Sequence, residues 1–320
     1  MYEKILVPLD GSKTAETVLP NVIRLARESK AKVVLFSVNA HGPASGRTGP
    51  SRRDKGVAVA TLERPDAQMK AYLDSAANML TGVGVEAKTV FATGDAAEEI
   101  LAYAAENACD LIAMSTRGRP ALQRGLMGSV TDAVVRASKV PVLAVGPKSV
   151  AGKDLEGCIH SVAVPLDGSK MAETVLPHVE KLARLLSLEV VLLRVVRMIP
   201  WAYGAHDRVP IDTTDIERSL ELEAKEYLST VQVRFAAKGL RCRSQVLHGV
   251  PWDEIAAFSG KANDMMVALS THGRSGITRF VLGSVADKLI RSLETPVLVV
   301  RPSSSQAGPV RDVTDGPSNE

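Results

Sequence analysis

Short runs of continuous apolar residues alternate along this chain with longer stretches whose apolar positions recur every three or four residues. Residues 3–9 (EKILVPL), 32–39 (KVVLFSVN), 86–92, 110–115 and 141–145 belong to the first kind. A strand buried on both faces of a parallel sheet reads this way. After Gly11-Ser12, Ala15, Val18, Leu19, Val22 and Ala26 follow the spacing of a one-sided helix, and further helices are predicted over 64–81, 96–106 and 129–138. Pro20 falls inside the first helical pattern and Pro177 inside a second one, where a proline is expected to kink the helix. From residue 160 the order returns, with strands over 160–166, 189–196, 241–248, 264–270 and 296–300. The helices between them are predicted at 170–187, 215–238, 252–259 and 284–293. Alternating strands and helices, joined by right-handed crossovers, predict a doubly wound α/β sandwich in each half.

The return is a true internal repeat. Residues 7–20 read VPLDGSKTAETVLP and residues 164–177 read VPLDGSKMAETVLP, identical at 13 of 14 positions. Near the end of each half, 128–145 (GSVTDAVVRASKVPVLAV) matches 283–300 (GSVADKLIRSLETPVLVV). Tyr72 matches Tyr227, Gly94 matches Gly249 and Ile100 matches Ile255. Two tandem domains are expected, at 1–147 and 158–302, joined by a Gly/Lys/Ser-rich linker at 148–157. Residues 303–320 are polar and unpatterned, and a disordered tail is expected there.

Composition narrows the function classes. Lys+Arg 39 against Asp+Glu 36 leaves a formal charge of only +3, which argues against a surface built for nucleic acid or an anionic membrane. Aromatics at 4% make stacking platforms for single strands improbable. The three cysteines (Cys109, Cys158, Cys242) form no CxxC pair, so neither a disulfide framework nor a Cys-rich zinc site is expected. No HExxH or His/Cys cluster occurs, and no metal site of the protein's own is expected. No apolar run approaches the ~18 residues that cross a bilayer, so the chain is expected to be cytoplasmic. The basic loop 41–56, with Arg47, Arg52, Arg53 and Lys55, reads as a solvated connection.

Ligands of such sheets bind beyond the carboxyl ends of the strands, where the strand order reverses. Two loops belong at that edge. One is Pro8-Leu9-Asp10-Gly11-Ser12, repeated as Pro165-Leu166-Asp167-Gly168-Ser169. The other is STRGRPALQRGLMGSV (115–130), repeated as STHGRSGITRFVLGSV (270–285). Gly118 and Gly273 let the backbone turn sharply, while Gly128-Ser129 and Gly283-Ser284 open a helix whose first N–H groups suit a phosphate. Arg119 and Arg274 could add charge from the loop, and a serine hydroxyl could add one hydrogen bond. Simple helix capping explains Gly-Ser equally well, and Asp10 can be an N-cap as readily as a ligand contact.

With these residues in view, each half resembles a universal stress protein domain, and the chain resembles a tandem member of that family. The family's nucleotide motif is Gly, two residues, Gly, nine residues, Gly and Ser/Thr. Gly118, Gly128 and Ser129 fit its last three positions, as do Gly273, Gly283 and Ser284; Ser115 and Ser270 stand at the first. The resemblance implies a five-stranded parallel sheet of order 3-2-1-4-5 with ATP across the ends of strands 1 and 4. It implies that Asp10 and Asp167 bind ribose or adenine, and that Pro8, Leu9, Val38 and Met114 line the adenine slot, with Pro165, Leu166, Val195 and Leu269 in the copy. Read from the sequence alone, Val38 and Val195 are strand core. Ser115, Gly118, Gly128, Ser129 and Val130 would hold ribose and phosphates, as would Ser270, Gly273, Gly283, Ser284 and Val285. Magnesium arriving with ATP would be held mostly by phosphates and water. The family also pairs domains through the last strand, so 141–145 and 296–300 are expected to pair between halves or between chains. No GxxxxGK[ST] motif is present, and no carboxylate or histidine recurs in both strand-4 loops to activate water. A nucleotide-dependent regulator of stress response is therefore expected. The alternatives are a slow ATPase or adenylyl-transfer enzyme on the same scaffold, and a nucleotide-free dimerisation module.

Overall fold

A computed structural model describes residues 2–39, 63–117, 127–147, 159–197, 214–262, 264–271 and 282–302. The expected linker, the tail and the basic loop lie outside them. In the first half the strands are β1 (Lys4–Pro8), β2 (Lys32–Asn39), β3 (Ala87–Thr93), β4 (Leu111–Ser115) and β5 (Val142–Val145). The helices are α1 (Leu19–Ser29), α2 (Glu63–Gly82), α3 (Ala96–Glu106) and α4 (Ser129–Ala137). The second half repeats the series with β6 (Ser161–Pro165), α5 (Leu176–Leu186), β7 (Glu189–Val196), α6 (Thr214–Ala236) and β8 (Cys242–His248). It ends with α7 (Pro251–Gly260), β9 (Met265–Ser270), α8 (Ser284–Ser292) and β10 (Val297–Val300).

The apolar runs became strands because side chains of a strand alternate between two faces, and here both faces are covered. Ile5, Val7, Val33 and Leu35 enter a core shared with α1, α2, α5 and α6. Leu6, Val34, Phe36 and Ile112 enter the opposite core, beneath α3, α4, α7 and α8. Each half has the strand order 3-2-1-4-5, all parallel. The second half follows suit, as β8-β7-β6-β9-β10.

The prolines behave differently from expectation. Residues 15–18 form a separate 3₁₀ turn, and α1 starts at Leu19, with Pro20 at its second position. Pro177 holds the same place in α5, after a 3₁₀ turn at 172–175. The first N–H groups of a helix have no partner within it, so a residue lacking one is accommodated there without a kink.

The two halves share one ten-stranded sheet, because β5 and β10 pair antiparallel, Leu143 opposite Leu298. The last strands thus pair within the chain. On one face of this join, the Arg24 guanidinium donates to the carbonyls of Ile159 (2.5 Å) and Leu186 (3.2 Å). On the other, Asp132 and Arg136 of α4 meet Asp287 and Arg291 of α8.

A pH dependence of the join is expected from these ions. The hydrogen bond from Arg136, helped by the charge of Arg291, holds the Asp132 carboxyl below the usual aspartate range against the opposing effect of burial. A carboxyl depressed in the folded state stabilises fully above its unfolded value, near pH ~4, and that contribution disappears as pH falls through the folded value. Acid titration of urea unfolding is expected to show stability dropping below about pH 4, and less steeply in Asp132→Asn. Equal slopes would remove the quartet from the account of acid stability.

Candidate functional site

β1 and β4 are neighbours at the centre of the first half, Ile5 beside Leu111 and Leu6 beside Ile112, so their carboxyl ends open on one edge. Pro8 closes β1 opposite Phe36, and the Leu9 N–H extends the ladder to the Phe36 carbonyl at 2.8 Å. There the chain turns away. Asp10 Oδ1 accepts from the Ser12 N–H (3.0 Å) and the Ser12 hydroxyl (2.6 Å), and Ser12 Oγ in turn accepts the Ala15 N–H (3.1 Å). The hydroxyl that caps the following turn is therefore that of Ser12, and Asp10 orients it. Asp167 repeats the device, accepting the Ser169 N–H at 2.9 Å while Ser169 Oγ accepts from Ala172 at 3.1 Å. Gly11 and Gly168, between carboxylate and serine, have φ of +80° and +87°, a left-handed turn that favours glycine.

The end of β4 is tied to the start of α4. Met114 and Ser115 lie beside Ala144 and Val145 of β5. The Gly128 N–H donates to the Thr116 carbonyl at 2.8 Å, and the buried Thr131 hydroxyl donates to the Ser115 carbonyl at 2.9 Å. The ladder of α4 begins with the Asp132 N–H on the Gly128 carbonyl, at 2.9 Å. The amides of Ser129, Val130 and Thr131 stand ahead of it, at the positive end of the helix dipole. In the copy, the Gly283 N–H donates to the Thr271 carbonyl (2.8 Å) and the Asp287 N–H to the Gly283 carbonyl (2.9 Å), placing Ser284 and Val285 likewise. Ala286 takes the place of Thr131, and Ser270 instead accepts the Thr174 hydroxyl at 3.3 Å.

The edge thus collects Pro8, Asp10, Val38, Met114, Ser115, Gly128, Ser129 and Val130 in one half. It collects Pro165, Asp167, Val195, Leu269, Ser270, Gly283, Ser284 and Val285 in the other. Val38 and Val195 are half-buried near the ends of β2 and β7 and pack against the α3/α4 and α7/α8 core, which Met114 and Leu269 also enter. The side chains of Leu9 and Leu166 go to the opposite face and are buried there, leaving their backbone at the edge. Gly118, Arg119, Gly273 and Arg274 lie outside the described residues.

Other groups at this edge escaped the sequence reading. The Tyr227 hydroxyl donates to Glu173 at 3.0 Å, and burial, Glu173 and Asp167 push its phenol above the ordinary range. Burial, Glu16 and Asp10 do the same to Tyr72. The recurrence of tyrosine and glutamate at matching places in both halves was the available signal. Among the described residues, no group of three or more His, Cys, Asp or Glu could hold a metal ion, and no helix is long and apolar enough to cross a membrane.

Comparison with known proteins agrees with the duplicated architecture. The sequence model of the Universal stress protein family matches twice, at residues 1–146 and 159–301. A universal stress protein of Mycolicibacterium smegmatis is 24% identical over 303 residues, which cover 93% of this chain and 97% of that one. One from Mycobacterium tuberculosis is 28% identical over 202 residues, 62% of this chain and 63% of its own length. The crystal structure of a universal stress protein from Archaeoglobus fulgidus superposes with a TM-score of 0.68 at 20% identity, covering 93% of this chain and 98% of that one. At that identity the likeness concerns the fold.

Proposed function

The chain belongs to the universal stress protein family, and from that premise we propose that each half binds an adenine nucleotide, ATP first, at the carboxyl edge of its sheet. The observation that carries this reading is the fastening of α4 and α8 directly beyond β4 and β9, through Gly128 on Thr116 and Gly283 on Thr271. That fastening starts each helix at the sheet edge from which the aspartate-serine turn of the neighbouring strand also leaves. A triphosphate fits the donor set: main-chain N–H groups at a helix start and the exposed hydroxyls of Ser129 and Ser284. Asp10 and Asp167, each half-exposed, would accept from ribose or adenine. Val38 with Met114, and Val195 with Leu269, would supply apolar contact for the base.

Glycine at 128 and 283 supports the same reading. These residues have φ of −62° and −58° with ψ of 145°, a conformation open to any residue, so the backbone does not require glycine there. Close approach of a ligand gives the absent side chain a reason. No carboxylate or histidine recurs in the sequences of both strand-4 loops, so occupancy rather than turnover would be the signal, and the protein would act as a nucleotide-dependent regulator. The test is to purify the protein without added nucleotide, denature it, and quantify what is released by chromatography with mass detection. About two ATP per chain, one for each helix start, are expected. An empty protein that also fails to bind added ATP would refute the proposal.

A further inference from the structure

The charged quartet between α4 and α8 lies one helical turn from both proposed phosphate sites, and its wiring crosses between the halves. Asp132 is in the first turn of α4 and Arg136 in its last; Asp287 and Arg291 hold the same positions in α8. Arg136 donates to its own Asp132 through Nε (2.8 Å) and Nη2 (3.1 Å), and through Nη2 to Asp287 of the other half (3.0 Å). Arg291 donates to its own Asp287 through Nε (3.0 Å) and through Nη2 to Asp132 (2.8 Å). Arg301, just past β10, donates to the Arg136 carbonyl at 2.9 Å, so the second half also anchors the end of α4.

A carboxylate in the first turn of a helix favours the bare helix, but it repels an anion seated at that same N-terminus. Each first-turn aspartate is in this position, and each is met by an arginine from the opposite half. The side chains are 28–29% exposed, so the pairs are only partly screened by water.

We propose that Arg291 is a positioning residue for anion binding in the first half, and Arg136 for binding in the second, each acting across the join by neutralising the aspartate behind the other half's site. This rests on the nucleotide reading above. It makes the tandem pairing functional, because docking adds, to the arginine each aspartate already has on its own helix, a second one from the other half.

The test uses the full chain with the second site blocked by Gly283→Glu, and ATP binding followed by calorimetry. Adding Arg291→Gln is expected to weaken binding on the order of fivefold, as for one charge near another in a partly solvated setting. Arg291→Lys is expected to keep most of the affinity. Adding Asp132→Asn to Arg291→Gln is expected to restore it, because the repelling carboxylate is then gone; a merely structural role predicts further loss. Asp132→Asn alone is expected to tighten binding, and high salt to shrink all these differences. That single variant keeps the test open should Arg291→Gln not fold. The mirror set uses Gly128→Glu with Arg136→Gln and Asp287→Asn. If the Gly283→Glu parent binds ATP and Arg291→Gln leaves its affinity unchanged, or Asp132→Asn neither rescues nor tightens, the inference is overturned and the nucleotide reading stands. If the unmodified protein and the parent both fail to bind ATP, both fall.

Discussion

Gly128→Glu is expected to abolish nucleotide binding in the first half and spare the second, and Gly283→Glu to do the reverse. At either position the backbone conformation suits any residue, so neither change demands a left-handed backbone of the new side chain. A carboxylate at the start of a helix also interacts favourably with the helix dipole, so α4 and α8 should form as before. The same carboxylate would stand where the phosphates are proposed to sit and compete for the same amides. A loss of roughly a hundredfold in affinity corresponds to about 2.7 kcal/mol, a modest sum for replacing an attraction with a repulsion at close range. The measurement is nucleotide released per chain from each variant, with circular dichroism and urea midpoints matched to the unmodified protein. Halved release from each variant and none from the double would assign one site to each helix start. Full release from either variant that remains folded would remove that helix from the site.

The element order and the two-sided burial of the strands were legible because they rest on local pattern. Runs such as KVVLFSVN can be satisfied only by a strand covered on both faces, and Val33 through Phe36 are indeed buried. Strand order came from resemblance, since apolar periodicity says nothing about which strand lies beside which. The apolar pattern does not mark the start of α1, because the 3₁₀ turn at 15–18 and the helix after it present one continuous apolar stripe. Only the fixed φ and missing N–H of Pro20 mark the boundary. For Asp10, a carboxylate two residues before a serine can cap, orient the cap, or meet a ligand, and its contact with Ser12 appears only in three dimensions. The Asp-Arg spacing of four residues stands openly in both copies at 132/136 and 287/291. One copy alone reads as an ordinary helix-surface pair. Its cross-linking of the halves follows from the antiparallel approach of β5 and β10, which the sequence left open between one chain and two.

Leu298→Ala is expected to lower stability by about 2–5 kcal/mol, the usual cost of truncating a fully buried leucine in a core that cannot collapse around the gap. Leu298 is 0% exposed, faces Leu143 of β5 in the antiparallel register and lies beside Ala268 of β9. Leu143 and Leu298 enter the same core, together with α1 and α5. The gap would therefore open at the join, where both halves depend on it. Urea denaturation is expected to show one transition moved to a lower midpoint with its slope unchanged, because the same surface is exposed when the shared sheet unfolds. Leu143→Ala should cost a similar amount. The double variant should lose less than the sum, because the two truncations share one void. Leu298→Asp places an unpaired carboxylate among aliphatic side chains and is expected to prevent folding. Should Leu298→Ala instead split the transition in two, with one part at the unmodified midpoint, the halves unfold separately and the join is a docking contact between independent units. A single shifted transition makes the ten-stranded sheet one cooperative structure, the mechanical condition under which one site can sense the other.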